Sequence, residues 1–328
     1  MQNAVDMNDA PEAAVRPLSG LLRAVEVWRP SDEGDHLVWG GGAYGELDEL
    51  RAASVDETFA CGEGLPGAAW ETRSPVVMHQ LSAGNFKRAD AARATGVTAG
   101  VALPCFRGDE LQGIVVFLCG DDPEAQGAFE VWSRNHREEL GLSASYYANL
   151  ERFGLISQYV KFPRGSGLPG ETWVSRFPKL ISRLGQSKGF MRAAGAAADG
   201  LSTALSIPIM RSSLDLDSVV LMLSSARAPL AHAFEIWARE QESDSLRICQ
   251  ADYGQFVNLQ PGAAKLRYQV GEGLAGGVWD HGVPEVTEEL PVVESARGEA
   301  LAEIGLTTAL AWPVYVSTEL AAVINLFL

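Results

Sequence analysis

Three stretches of this chain, GEGLPGAAWETRSP at 62–75, GSGLPGETWVSRFP at 165–178 and GEGLAGGVWDHGVP at 271–284, fit one pattern, G-x-G-L-x-G-x-x-W-x-x-x-x-P. Their tryptophans lie 103 residues apart (Trp70 to Trp173) and then 106 (Trp173 to Trp279). A period of that size is the length of a globular domain, well beyond the roughly 20–50 residues of a solenoid unit. The likeness extends to both sides. VEVW at 25–28 recurs as FEVW at 129–132 and FEIW at 234–237, while Pro104, Pro208 and Pro313 each follow a glycine (Gly96, Gly200, Gly305) by eight residues. The chain therefore reads as three tandem copies of one domain: an N-terminal extension over 1–22, then domains at 23–122, 127–225 and 231–328. The connectors DDPEAQG and SARAPLA are too short for long linking helices, so the copies are expected to abut.

Within a copy, AVEVW alternates and HLVWGGGAY follows across a polar turn, which predicts a hairpin. The Gly-x-Gly turn then opens a two-turn helix, with Pro66 and Pro169 suited to its first positions. Pro75, Pro178 and Pro284 lead into a short strand, and a second helix is expected over 86–95, ended by Gly96. Two apolar strands, AGVALPCF and LQGIVVFLC, close the copy. The order β-β-β-α-β-α-β-β predicts an α+β domain built on one antiparallel sheet with flanking helices. Each motif tryptophan is expected to bury its ring between helix and sheet.

Glycine-rich turns that open helices often cradle phosphates, but no G-x-x-x-x-G-K is present, and the motif reads mainly as scaffold. Of the 328 residues 47% are apolar, enough for a core in every copy. No apolar run reaches the length of a membrane span, and Asp6, Asp9 and Glu12 stand where a signal peptide is basic and apolar. A cytoplasmic location with no membrane partner is expected. The net charge of −16 with no compensating Lys/Arg cluster disfavours nucleic acid. Cys61, Cys105, Cys119 and Cys249 form no C-x-x-C pair and no zinc-ligand spacing. No nucleophile–base pair, paired acids or metal cluster is apparent, so a non-enzymatic protein is expected, and no cofactor is indicated.

TFACGEGLPGAAWETRSPVVM, NFKRADAARATGVTAGVALPCF and GDELQGIVVFLC, taken in order, closely resemble the GAF domain of bacterial signalling proteins. The resemblance covers nearly all of 23–120. Copies two and three are more distant: Ser166 replaces the motif glutamate, and Ser295-Ala296-Arg297-Gly298 replaces the Phe-x-Arg-Ala run. The resemblance implies a pocket between the sheet and the segment holding the fourth strand and second helix. Its candidates in copy one are Phe59, His79, Asn85, Phe86, Arg88, Asp90 and Cys105. Phe59 and Phe86 also suit a core, and His79 suits a solvent-facing strand end. Arg88, which recurs as Arg192 and Arg297, would either grip a ligand carboxylate or phosphate or tie its helix to a carbonyl or an acid.

The signatures of family members that bind cyclic nucleotides or bilins, or reduce methionine sulfoxide, are incomplete. The segment Phe86–Asp90 lacks the following Glu, Cys105 precedes Phe106 rather than His, and only Cys61 and Cys105 stand within reach of each other. Two expectations follow. The first is a sensory, regulatory module that binds a small molecule, chiefly in domain 1, and signals to a partner protein or to an output region outside these residues. The second is an unliganded scaffold for protein–protein interaction, including homodimerisation.

Overall fold

The computed structural model describes residues 18, 20–83, 86–240, 243, 245–294 and 296–328. Domain 1 runs β1 (Leu22–Pro30), β2 (His36–Ala43), α1 (Asp48–Val55), β3 (Thr58–Ala60), α2 (Gly64–Thr72), β4 (Val76–His79), α3 (Ala89–Thr95), β5 (Val97–Arg107) and β6 (Glu110–Gly120). Domain 2 repeats this order as β7 (Gly127–Arg134), β8 (Glu139–Ala148), α4 (Glu151–Ser157), β9 (Lys161–Pro163), α5 (Gly167–Ser175), β10 (Lys179–Ser182), α6 (Ala193–Ala198), β11 (Leu201–Met210) and β12 (Leu216–Ser225). Domain 3 follows with β13 (Ala233–Arg239), β14 (Leu246–Asp252), α7 (Gln260–Ala263), β15 (Arg267–Tyr268), α8 (Gly273–His281) and β16 (Glu285–Thr287). It then adds α9 (Leu290–Val293) before α10 (Gly298–Glu303), β17 (Ala309–Val316) and β18 (Glu319–Phe327).

Each domain holds one six-stranded antiparallel sheet with the same strand order, β3-β2-β1-β6-β5-β4 in domain 1. The α+β architecture is the one expected, with two local differences. A helix stands between the second and third strands of every copy. In domain 1 this is α1, which buries only Leu50 and Ser54 and so lacks the apolar stripe that announces a helix. The second predicted helix starts at Ala89 instead of 86: Arg88 is its cap, with φ −103° and ψ 35°, and Phe86 is already turned into the core.

The motif glycines answer to backbone geometry. Gly64, Gly167 and Gly273 sit at φ +59°, +63° and +61°, the left-handed region where a side chain is strained. A Cβ on Gly67 or Gly170 would lie 2.2 or 2.3 Å from a backbone oxygen of the strand before the helix, and one on Gly276 2.5 Å from that of Gln269, just past its strand. The glycines let helix and strand backbones touch.

Both faces of each sheet are buried. Ala24 and Trp28 of β1 face a core shared with the helices of domain 1, whereas Val25 and Val27 face a second core. Phe129, Met222, Phe234, Trp312 and Ile324 join that second core, so it is common to all three domains. This double burial explains the continuous apolar run of β6, since alternation is lost when neither face meets water.

The domains close into a ring. β4 abuts β8, β10 abuts β14, and β16 abuts β2, so the same edge of each sheet meets the same strand of the next. Ser74 donates to Asp217 at 2.9 Å, Leu180 N–H to Gln250 Oε1 at 2.8 Å, and Arg29 to the Pro284 carbonyl at 3.0 Å, among the bonds that cross the three junctions. Pro104, Pro208 and Pro313 meet at the centre, lining a cleft of about 30 Å³. Each lies two residues past the last rung between its strand and the short fourth strand, which ends at Ala102, Ser206 or Ala311. The missing N–H therefore costs the sheet no ladder bond on that side.

Candidate functional site

The helix-covered face of each sheet carries one charged cluster, and the first strand starts it. A β-bulge between Val27 and Trp28 recurs between Val131 and Trp132 and between Ile236 and Trp237. It brings the indole over the glutamate two residues earlier: Trp28, Trp132 and Trp237 donate to Glu26, Glu130 and Glu235 at 2.9, 3.0 and 2.8 Å. Tyr44, Tyr147 and Tyr253 donate their hydroxyls to the same carboxylates at 3.1, 2.7 and 2.5 Å. All three carboxylates are wholly buried.

The recurrent arginines complete the clusters. Arg192 forks onto Glu130 at 2.5 and 2.7 Å, and Arg297 onto Glu235 at 2.6 and 3.0 Å. Arg88 grips Glu26 in the same two-pronged way, with its longer bond at 3.0 Å, and also donates to Ser54. Aromatic rings enclose the cations: Arg88 lies 4.9 Å from the Phe86 centroid and 5.8 Å from that of Phe59, and Arg192 lies 4.6 Å from Phe153. Burial works against the charge on Arg88, but the Glu26 carboxylate outweighs it and holds the guanidinium above its ordinary value. Arg297 is held well above by Glu235 and Glu294 against the same penalty.

Copy three is rebuilt around one more acid. Ala263 replaces the serine found at 54 and 157, and Tyr268 replaces the phenylalanine found at 59 and 162. Glu294 accepts from the Tyr268 hydroxyl, from Arg297 Nε at 2.8 Å and from Leu274 N–H at 3.0 Å. In copies one and two the matching Nε atoms of Arg88 and Arg192 have no hydrogen-bond partner and no contact with solvent.

Of the candidate residues, Phe59, Phe86 and Arg88 are brought together and buried. His79 is exposed, its ring 6.1 Å from that of Tyr146 in domain 2. Asp90 is exposed and pairs with Arg93 at 2.6 Å. Cys105 lies on the opposite face of the sheet, its Sγ 3.4 Å from the Pro313 carbonyl of domain 3. Asn85 lies outside the described residues. The residue that sequence reasoning left without a role is the glutamate of VEVW. Its signal was present: glutamate and arginine stand 62 residues apart in every copy, although the copies differ in length elsewhere.

Among the described residues no group of three His, Cys, Asp or Glu side chains is arranged to hold a metal, and no helix is long and apolar enough to cross a membrane. An open groove of about 550 Å³ lies between Ser175–Phe177 of domain 2 and the Val316–Ala321 hairpin of domain 3.

The curled six-stranded sheet, with helices on one face and repeated three times, defines a tandem array of three like α+β domains. A family model described as GAF domain matches residues 7–150 of the chain. No curated protein matches it. Among solved structures, a free methionine-R-sulfoxide reductase from Neisseria meningitidis, in complex with its substrate, is 15% identical over 30% of this chain and 52% of that one, with a TM-score of 0.24. The GAF domain of A. aeolicus nlh2 in an inactive state is 20% identical over 31% of this chain and 59% of that one, with a TM-score of 0.25. A GAF domain/HD domain protein from Geobacter sulfurreducens is 14% identical over 30% and 62%, with a TM-score of 0.26. The chain thus spans roughly half to three-fifths of the length of these relatives.

Proposed function

We propose that the chain is a non-catalytic regulatory scaffold in which three GAF domains present surfaces to a partner protein, their interior sites filled by the protein's own side chains. The observation that carries this reading is the threefold glutamate–arginine fork. The buried arginine of each copy is held by a carboxylate of its own first strand, and three aromatic rings, Trp28, Phe59 and Phe86, pack beside Arg88 in copy one. Breaking such a fork leaves a buried charge without its partner, at a cost of about 3–5 kcal/mol, so a ligand in domain 1 would have to supply at least that to take Arg88 from Glu26. The separation of the thiols supports a non-catalytic reading: Cys61 is exposed, while Cys105 faces another domain.

Native mass spectrometry of the freshly purified chain, followed by a thermal-shift screen of nucleotides, amino acids and organic acids, tests it. The expected result is no retained molecule and no shift. A compound whose stabilisation vanishes in Arg88→Ala and survives in Arg192→Ala overturns the scaffold in favour of a domain 1 sensor.

A further inference from the structure

The three copies serve as controls for one another on their outer surfaces, and copy two departs from the others. Leu155, Ile156, Tyr159, Val174 and Met191 are between 45% and 85% exposed. The matching positions in copy one are Ala52, Ala53, Asp56, Glu71 and Lys87, and in copy three Pro261, Gly262, Lys265, Asp280 and Ala296. In copy one Lys87 bridges Glu57 at 2.8 Å and Glu63 at 3.2 Å. In copy two all three members of that charged cluster are gone, replaced by Met191, Val160 and Ser166. The segments that carry them adjoin. Met191 Sδ lies 3.0 Å from the point where a Cβ on Gly167 would sit, Val174 lies 3.6 Å from the same point on Gly165, and Arg192, next to Met191, bonds Ser157 of α4.

Charge singles out the same domain. Residues 127–225 hold eleven Lys/Arg against eight Asp/Glu, whereas 23–122 hold eight against sixteen and 231–328 five against fourteen. Around the apolar patch stand exposed Arg152, Lys161, Arg164 and Lys188, with Glu151 the acid on the same helix. Among the described residues none of these four cations has an ion pair, and Arg164 lies 5.7 Å from the Trp173 ring.

The geometry points to this face of domain 2 as the docking site for an acidic amphipathic segment of a partner protein, apolar side chains seated on Leu155, Ile156, Tyr159 and Met191, carboxylates ringed by the four cations. An apolar centre inside a charged rim is the anatomy of a specific interface, and the rim's sign selects the partner in a chain that otherwise repels acids. The inference rests on the scaffold reading and locates the surface through which it acts.

The test selects a displayed library of random 16-residue peptides on the full chain. Two full-chain variants are compared: one given the copy-one residues (Leu155→Ala, Ile156→Ala, Tyr159→Asp, Met191→Lys), the other with the rim reversed (Lys161→Glu, Arg164→Glu, Lys188→Glu). The expected outcome is enrichment of peptides with spaced apolar residues among Asp and Glu. They should bind each variant at least tenfold more weakly, both variants melting within a few degrees of the parent. No enrichment, peptides without acidic bias, binding unchanged in either variant, or preference for an oligonucleotide added as competitor overturns it. So does a dimer in sedimentation velocity that the first variant abolishes, which assigns the face to a second copy. None of these results alters the small-molecule screen, so the two readings fail separately.

Discussion

At the scale of residues, the buried forks make a sharp energetic prediction. Arg192→Met leaves Glu130 wholly buried with its tyrosine and tryptophan donors but no cation, and should lower stability by about 3–5 kcal/mol in urea unfolding. Adding Glu130→Gln should recover most of that loss, because a neutral amide no longer requires a counter-charge. A double mutant as unstable as the single one would place the importance of Arg192 in its packing on Phe153 instead. Alkaline pH should act on both faces of the sheet in domain 1. Burial pushes the Cys105 and Cys119 thiols above 9.0, and burial followed by Glu26 pushes the Tyr44 hydroxyl above 10.0. These groups keep their protons in the folded state when the unfolded chain has released them. Their contribution is therefore complete below the unfolded values and is lost as pH rises from about 9 toward the folded ones. Urea midpoints should be flat from pH 7 to 8.5 and fall by pH 10.5, less so in Cys105→Ala/Cys119→Ala.

Elements respond to backbone proximity more than to propensity. Gly67→Ala places a methyl 2.2 Å from the Ala60 carbonyl oxygen and should cost about 1–3 kcal/mol or more by forcing α2 off β3. Gly262→Ala, in α7 with nothing within 4 Å, should stabilise by about 0.5–1 kcal/mol. Equal effects in chemical denaturation would refute this account of the motif. The contrast also explains what could be read in advance. The strands, α2 and the three-domain period were legible because the glycines and prolines that mark them meet backbone requirements repeated in each copy. Helix α1 was not, because a short helix with one buried leucine and one buried serine has no periodicity to detect. Arg88 was recognised as unusual, yet its partner Glu26 was passed over: a glutamate within an apolar strand looks like the solvent face of a hairpin until that face is known to be covered. The placement of Cys105 on the inter-domain face follows from sheet pleat and from which side the helices take, and the second of these is a tertiary fact.

For the whole molecule, the inner face of each sheet is buried chiefly against the other two. Residues 231–328 alone would expose Phe234, Ile236, Leu310, Trp312, Ile324 and Leu326 to water and should self-associate in sedimentation velocity, while the full chain should stay dispersed at the same concentration. A monomeric, well-folded fragment would contradict the common core. In an open string of three domains, the outer two exchange forces only through the middle one. The closed order here abolishes that distinction: every domain borders both others, by β4 to β8, β10 to β14 and β16 to β2. An event at the outer face of domain 2 therefore has two equally short routes to the rest of the protein, and no copy is peripheral to it.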